Sequence, residues 1–294
     1  MAQPQNSIDS LPNEILINAL DSFATRSLLP VAAVSRRFRG LVGRLHYYRL
    51  VQATVLKEHE LILECYHPSN KISTPYLFCK YLATDGLAEA GVDTDFEDMN
   101  KLYTRFKPFL GDENRRPRAR RPTARVIDGA DPAPEDEAPS HDIHLDAGEL
   151  FSQLCVLTNL VKVGPRRGLF LSIVNVTDGV IRVWREWLRD QAARQAAADQ
   201  QPDEQRSIHD PSILWTDASK NVGLRFRVKV KEEGRNMPVL MMQGDEPPVS
   251  YTLEYEELIV RTNRLLLSIE SSEVQQVAHA GKAIIIASMQ WNIL

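Results

Sequence analysis

The chain is poor in cysteine, has no strong excess of either charge, and lacks a long apolar run. Its three cysteines, Cys65, Cys79 and Cys155, stand at irregular spacing with no C-x-x-C pair. Neither a disulfide framework nor a zinc knuckle is indicated, and a reducing compartment is expected. A formal net charge of -4 and a pI near 6.0 exclude the overall basic field that draws in nucleic acid or an anionic membrane. No stretch approaches the roughly 18 unbroken apolar residues that span a bilayer. The opening residues Met1 to Asn6 have neither a basic start nor an apolar core, so a location in the cytoplasm and/or nucleus is expected.

Catalytic and metal motifs are equally scarce. There is no Gly-x-Ser-x-Gly elbow, and Gly164-Pro165-Arg166-Arg167-Gly168 lacks the Lys-Ser/Thr ending of a phosphate loop and reads as a turn between strands. The acidic run from Asp93 to Asp98 has Asp98 and Thr104 where a calcium loop needs Gly and Glu. His141 and His144 offer two imidazoles where a metal needs three or four ligands, and read as solvated residues at the end of a loop. No catalytic residue, cofactor or metal is expected, and no repeat of solenoid or propeller period is present.

What remains is ordinary globular material, 43% hydrophobic and 25% charged over 294 residues, enough for a small unit and a larger one. Residues 8–50 read as three short helices. Ser10 suits an N-cap before Leu11-Pro12-Asn13-Glu14, and Ile15, Leu16, Ala19 and Leu20 recur at helical spacing. Ser27-Leu28-Leu29-Pro30 opens a second helix through Val34. A third runs from Arg36 to Leu45 with Phe38, Leu41, Val42 and Leu45 on one side.

Beyond residue 51 the pattern turns to strands. Candidates are residues 61–66, 154–163, 169–176, 180–187, 222–230, 249–258, 265–270 and 283–289. The alternation Leu224-Arg225-Phe226-Arg227-Val228-Lys229-Val230 predicts one face on a core and one in water. Asp178-Gly179 between two runs predicts a two-residue hairpin. The expected fold is α+β and multidomain: a three-helix unit at 8–50, then a mostly antiparallel β-sandwich at 51–110 and 141–294. Residues 111–140, with six arginines from Arg115 to Arg125, an acidic block and five prolines, read as a disordered insertion. Residues 189–206 read as a solvated helix fraying into a loop. Trp184 and Trp187, with Trp215, form a candidate ligand face, although regular alternation would set the first two on opposite sides of a strand.

The strings Leu11-Pro12-Asn13-Glu14-Ile15-Leu16, Leu28-Leu29 and Val31-Ala32-Ala33-Val34-Ser35-Arg36-Arg37-Phe38 resemble the F-box family in order and spacing. Phe38 stands where many members carry Trp. The resemblance implies docking onto a Skp-family adaptor, and through it a cullin, with contacts from Leu11, Pro12, Ile15, Leu16, Leu28, Leu29, Val34, Phe38 and Leu41. It implies a non-catalytic subunit of a ubiquitin ligase, with the β-rich part binding an unknown substrate protein. The stretches 64–76 and 249–258 are similar to filamentous-fungal F-box proteins with a β-sandwich after the box. Alternatives are a glycan- or small-ligand-binding module in that sandwich, or adaptor binding outside ubiquitination.

Overall fold

The computed structural model describes residues 8–71, 74–87, 91, 94–111, 138–165, 169–198, 208, 210–231 and 246–278. Most of the 111–140 segment, the last part of 189–206 and the candidate strand at 283–289 lie outside the described residues. Three helices open the chain: α1 (Asn13–Asp21), α2 (Thr25–Ala32) and α3 (Arg36–Thr54). Ser35 caps α3 by accepting from the Phe38 amide at 3.2 Å, the role of a short hydroxyl side chain at an N-cap. The N-cap of α1 is Pro12 rather than Ser10; its backbone is still extended (φ -57°, ψ 151°) and it makes no side-chain cap bond.

Nine strands follow: β1 (His59–Tyr66), β2 (Leu77–Asp85), β3 (Tyr103–Phe109), β4 (Ser140–Leu145), β5 (Phe151–Val163), β6 (Phe170–Trp184), β7 (Ile213–Trp215), β8 (Val222–Val230) and β9 (Val249–Arg261). A short helix, α4 (Phe96–Met99), precedes β3. α5 (Arg185–Ala198) follows β6, and α6 (Thr262–Ala278) follows β9. The mostly antiparallel body expected after the helices is present, and the walls enclosing its core belong to one curled sheet. Its order is β6-β5-β1-β2-β3-β9-β8-β7, with β4 beside β9. The end strands β6 and β7 meet where Thr177 Oγ1 and Thr216 Oγ1 lie 3.3 Å apart, so the sheet nearly closes into a barrel and leaves little free edge.

Alternation places Leu61, Leu63 and Cys65 of β1, Leu154, Val156 and Leu160 of β5, and Leu224, Phe226 and Val228 of β8 in this core. Each such side chain contributes about 1.5–3 kcal/mol through burial. Burial pushes the Cys65 thiol up to about 12 and that of Cys79 higher still, which leaves both inert at neutral pH.

Two sequence expectations are corrected. Residues 265–270 are not a strand but the first half of α6, since Leu-Leu-Leu-Ser-Ile carries no period to separate the two states. The Asp178-Gly179 hairpin is absent: β6 runs straight through, with Asp178 opposite Leu157 and Gly179 opposite Val156. The glycine serves close approach instead. A Cβ there would sit 3.1 Å from the Thr216 carbonyl oxygen and Cβ. Gly179→Val is expected to lower stability by about 1–3 kcal/mol, measured as a shift of the denaturant midpoint; an unchanged midpoint would contradict the close contact.

α6 joins the helical unit to the barrel. Glu270 accepts from the Thr25 amide at 3.1 Å and hydroxyl at 2.5 Å, and pairs with Arg49 at 3.3 Å. Leu50, Ala53, Met99, Leu102 and Leu266 form a shared apolar cluster beneath. Deeper along the helix, Ser272 bonds both Ser172 of β6 and His59 of β1. Because His59 Nδ1 faces the Lys57 carbonyl at 2.7 Å, it carries the hydrogen, and Nε2 accepts from the Ser272 hydroxyl.

Candidate functional site

The nine residues proposed from the sequence as adaptor contacts divide into two sets. Leu16, Leu28 and Leu41 face inward, packed with Leu20, Val42 and Leu45 into the core of the helical unit. Leu28 is only 1% exposed. Leu11, Pro12, Ile15, Leu29 and Val34 lie on the surface, with Ile15 51% and Val34 72% exposed, and Phe38 is half-buried against the core. Helix geometry explains the division: Leu16 and Leu20 share an inward face at i, i+4, while Ile15 is turned about 100° away from Leu16.

The exposed set is organised by Arg37. Its Nε donates to Asn13 Oδ1 at 2.9 Å, and its guanidinium also donates to the Leu11 carbonyl. This clamps the start of α3 onto the start of α1 and sets Leu11, Pro12 and Ile15 near the Val34–Phe38 turn. Large side chains left in water by a folded unit are the mark of a surface completed by a partner. Leu29 points elsewhere, into a cavity between α2, α4 and α6.

The three tryptophans are held separately. Trp184 is exposed at the end of β6, its ring 4.9 Å from that of Phe151. Trp187 lies in α5, where its Nε1 donates to the Pro211 carbonyl at 2.9 Å. Alternation does not relate these two, because the chain passes from strand to helix at Arg185. Trp215 packs against Tyr103 on the outer side of the sheet, the rings 5.5 Å apart and tilted by 58°. His141 and His144 are not in a loop but on β4, where His144 Nδ1 contacts Ser250 Oγ at 2.8 Å. Among the described residues, no cluster of three or more His, Cys, Asp or Glu is placed to hold a metal.

One outward side chain of β8 is buried, although alternation placed that face in water. Arg225 is not in water; it is 3% exposed and pairs with the buried Glu257 at 2.6 Å. Arg105 approaches the same carboxylate at 3.5 Å and Asp85 at 3.0 Å. A bulge opposite Arg225–Phe226 brings Glu257 beside Arg225. Tyr255 faces the core and so does Leu258, so the register slips by one residue and Glu257 moves to the outer side beside Arg225.

Three histidines are held neutral. Burial lowers the pKa of His46, His59 and His141 below the usual value, opposed for His46 by Asn263 and Glu270, for His59 by the Lys57 carbonyl, and for His141 by Asp142. In the unfolded chain each protonates near pH 6.5, while in the folded chain each does so only at lower pH. The unfolded state therefore binds more protons as pH falls, and stability is expected to drop below about pH 6.5. The melting temperature should be lower at pH 5.5 than at pH 7.5, and His59→Asn should flatten that dependence; a pH-independent melting temperature would contradict it.

Residues 8–53 match the family model of the F-box-like domain. The chain thus carries an F-box-like domain followed by a β-rich body. Domains of this kind are typically non-catalytic docking modules that bind a Skp adaptor, and through it a cullin, within substrate receptors of ubiquitin ligases. Comparison with curated proteins and with solved structures returned no match.

Proposed function

From this F-box-like domain and the body attached to it, we propose that the protein is a substrate-receptor subunit of a Skp–cullin–F-box ubiquitin ligase. Residues 8–50 serve as the docking unit, 51–110 and 141–294 as the substrate-binding body, and 111–140 as an insertion in that body. The adaptor covers Leu11, Pro12, Ile15, Val34 and Phe38. Leu16, Leu28 and Leu41 act indirectly, by holding the three helices in place.

The observation that carries this reading is the exposure of Leu11, Ile15 and Val34 near the Arg37 clamp, while Leu16, Leu28 and Leu41 are packed in the core of the unit. Burying such exposed apolar side chains against a partner supplies favourable free energy of association. The tie from Glu270 to Thr25 and Arg49 fixes the docking unit to the body, so a substrate held by the body has a defined position relative to the cullin. The ligase gains rate by raising the effective concentration of substrate lysines near the ubiquitin-loaded conjugating enzyme. The cytoplasm or nucleus, where such ligases operate, is its place of action.

Reconstitution tests this directly. The purified chain, mixed with Skp adaptor and cullin, should elute as a ternary complex in size-exclusion chromatography, with the cullin retained only when the adaptor is present. Elution of the chain apart from an intact adaptor–cullin complex would overturn the proposal.

A further inference from the structure

Between the docking unit and the β body lies a cavity of about 520 Å³, within the roughly 300–1,000 Å³ range of small-molecule sites. Its apolar wall is built by Leu29 of α2, Phe96 of α4 and Leu266 and Leu267 of α6, and its charged groups are Arg26 and Glu97. Of the neutral polar groups, Thr25 bonds Glu270 and Asn100 Oδ1 accepts from Asn263 Nδ2 at 3.0 Å, whereas His46 Nδ1 and Asn263 Oδ1 are buried without a hydrogen-bond partner among the described residues. Of the two charges, Glu97 is already paired with Lys101 at 3.4 Å. Arg26 has no ion pair or hydrogen bond among the described residues.

We propose that this cavity binds a small amphiphilic carboxylate, with its apolar body against Leu29, Phe96, Leu266 and Leu267 and its carboxylate on the Arg26 guanidinium. Arg26 selects the sign, as the charged lining group with no partner among the described residues, whereas Glu97 shares Lys101 with Asp98. The planar guanidinium fork matches a carboxylate in two parallel bonds. The apolar wall selects a carboxylate with a hydrocarbon body over a bare inorganic anion. A ligand seated there touches α2, α4 and α6 at once, so it clamps the docking unit against the body and stabilises their joint. This site lies apart from the Leu11–Ile15 and Val34–Phe38 surface and does not depend on adaptor binding.

The test is calorimetric titration and thermal melting of the full chain with octanoate, octylamine and octanol, each below its micelle concentration. Octanoate should bind saturably and raise the melting temperature more than the amine or the alcohol. Arg26→Gln should weaken octanoate binding roughly tenfold, the loss of one charge-assisted contact. Leu267→Trp, confirmed as folded by circular dichroism, should abolish it by filling the cavity; if that variant misfolds, Arg26→Gln alone decides. No octanoate binding, equal binding of all three probes, or unchanged affinity in Arg26→Gln would each overturn the assignment.

Discussion

Glu257→Ala is expected to cost about 3–5 kcal/mol of folding stability, because it strands the buried Arg225 guanidinium without its carboxylate. Glu257 is also approached by Arg105, so one substitution leaves two cations close together where one anion had compensated both. Asp85, 3.0 Å from Arg105, offsets part of this for Arg105. The double variant Arg225→Leu/Glu257→Leu should recover most of the loss, since an apolar pair of similar volume needs no desolvation of charge. The two positions are directly opposed on β8 and β9, so Leu side chains would meet there as a cross-strand pair. Urea denaturation of the wild type, Arg225→Leu, Glu257→Leu and the double variant forms a complete cycle. A loss below about 1 kcal/mol for Glu257→Ala, the range of an exposed pair, would show that the cluster is solvated.

Ile15→Asp/Val34→Asp should abolish detectable adaptor binding while leaving the melting temperature within the range of ordinary surface substitutions, about ±0.5 kcal/mol. Both side chains are largely in water in the free chain, so the change costs the fold little, whereas in the complex it would bury two carboxylates against apolar groups. Leu28→Ala gives the complementary result. It removes a side chain that is 1% exposed and should destabilise the helical unit by about 2–5 kcal/mol, weakening docking only through that unfolding. If the exposed pair proved neutral for binding while Leu28→Ala abolished it in the folded state, the assignment of inner and outer roles would be reversed.

The helical unit was legible in the sequence because its signals are local: Pro12 at the start of the first helix and apolar residues at helical spacing, although the cap expected from Ser10 is not the one found. β1, β5, β8 and β9 were legible from apolar runs and alternation. β2, β3 and β4 were not. β2 carries Lys80 and Tyr81 side by side, β3 contains Pro108, and β4 reads Ser-His-Asp-Ile-His-Leu. Pro108 is tolerated because β9 pairs only with the Tyr103–Phe106 part of β3, so its missing amide interrupts no bond on that side.

The role of Gly179 and the register slip at Glu257 depend on contacts between segments tens of residues apart, which no local pattern records. The docking residues were legible by type, but their division into core and surface was not. The family pattern retains positions needed for packing and positions needed for contact alike, and only the packed helices separate Leu16 from Ile15.

Titration of the purified full-length chain with purified Skp adaptor, followed by calorimetry, tests the central claim most directly. Saturable one-to-one binding, lost in Ile15→Asp/Val34→Asp at unchanged melting temperature, is the predicted result. A folded wild-type chain that releases no binding heat and fails to co-elute with the adaptor would contradict it, and would reduce the exposed helical surface to a cap on the β body.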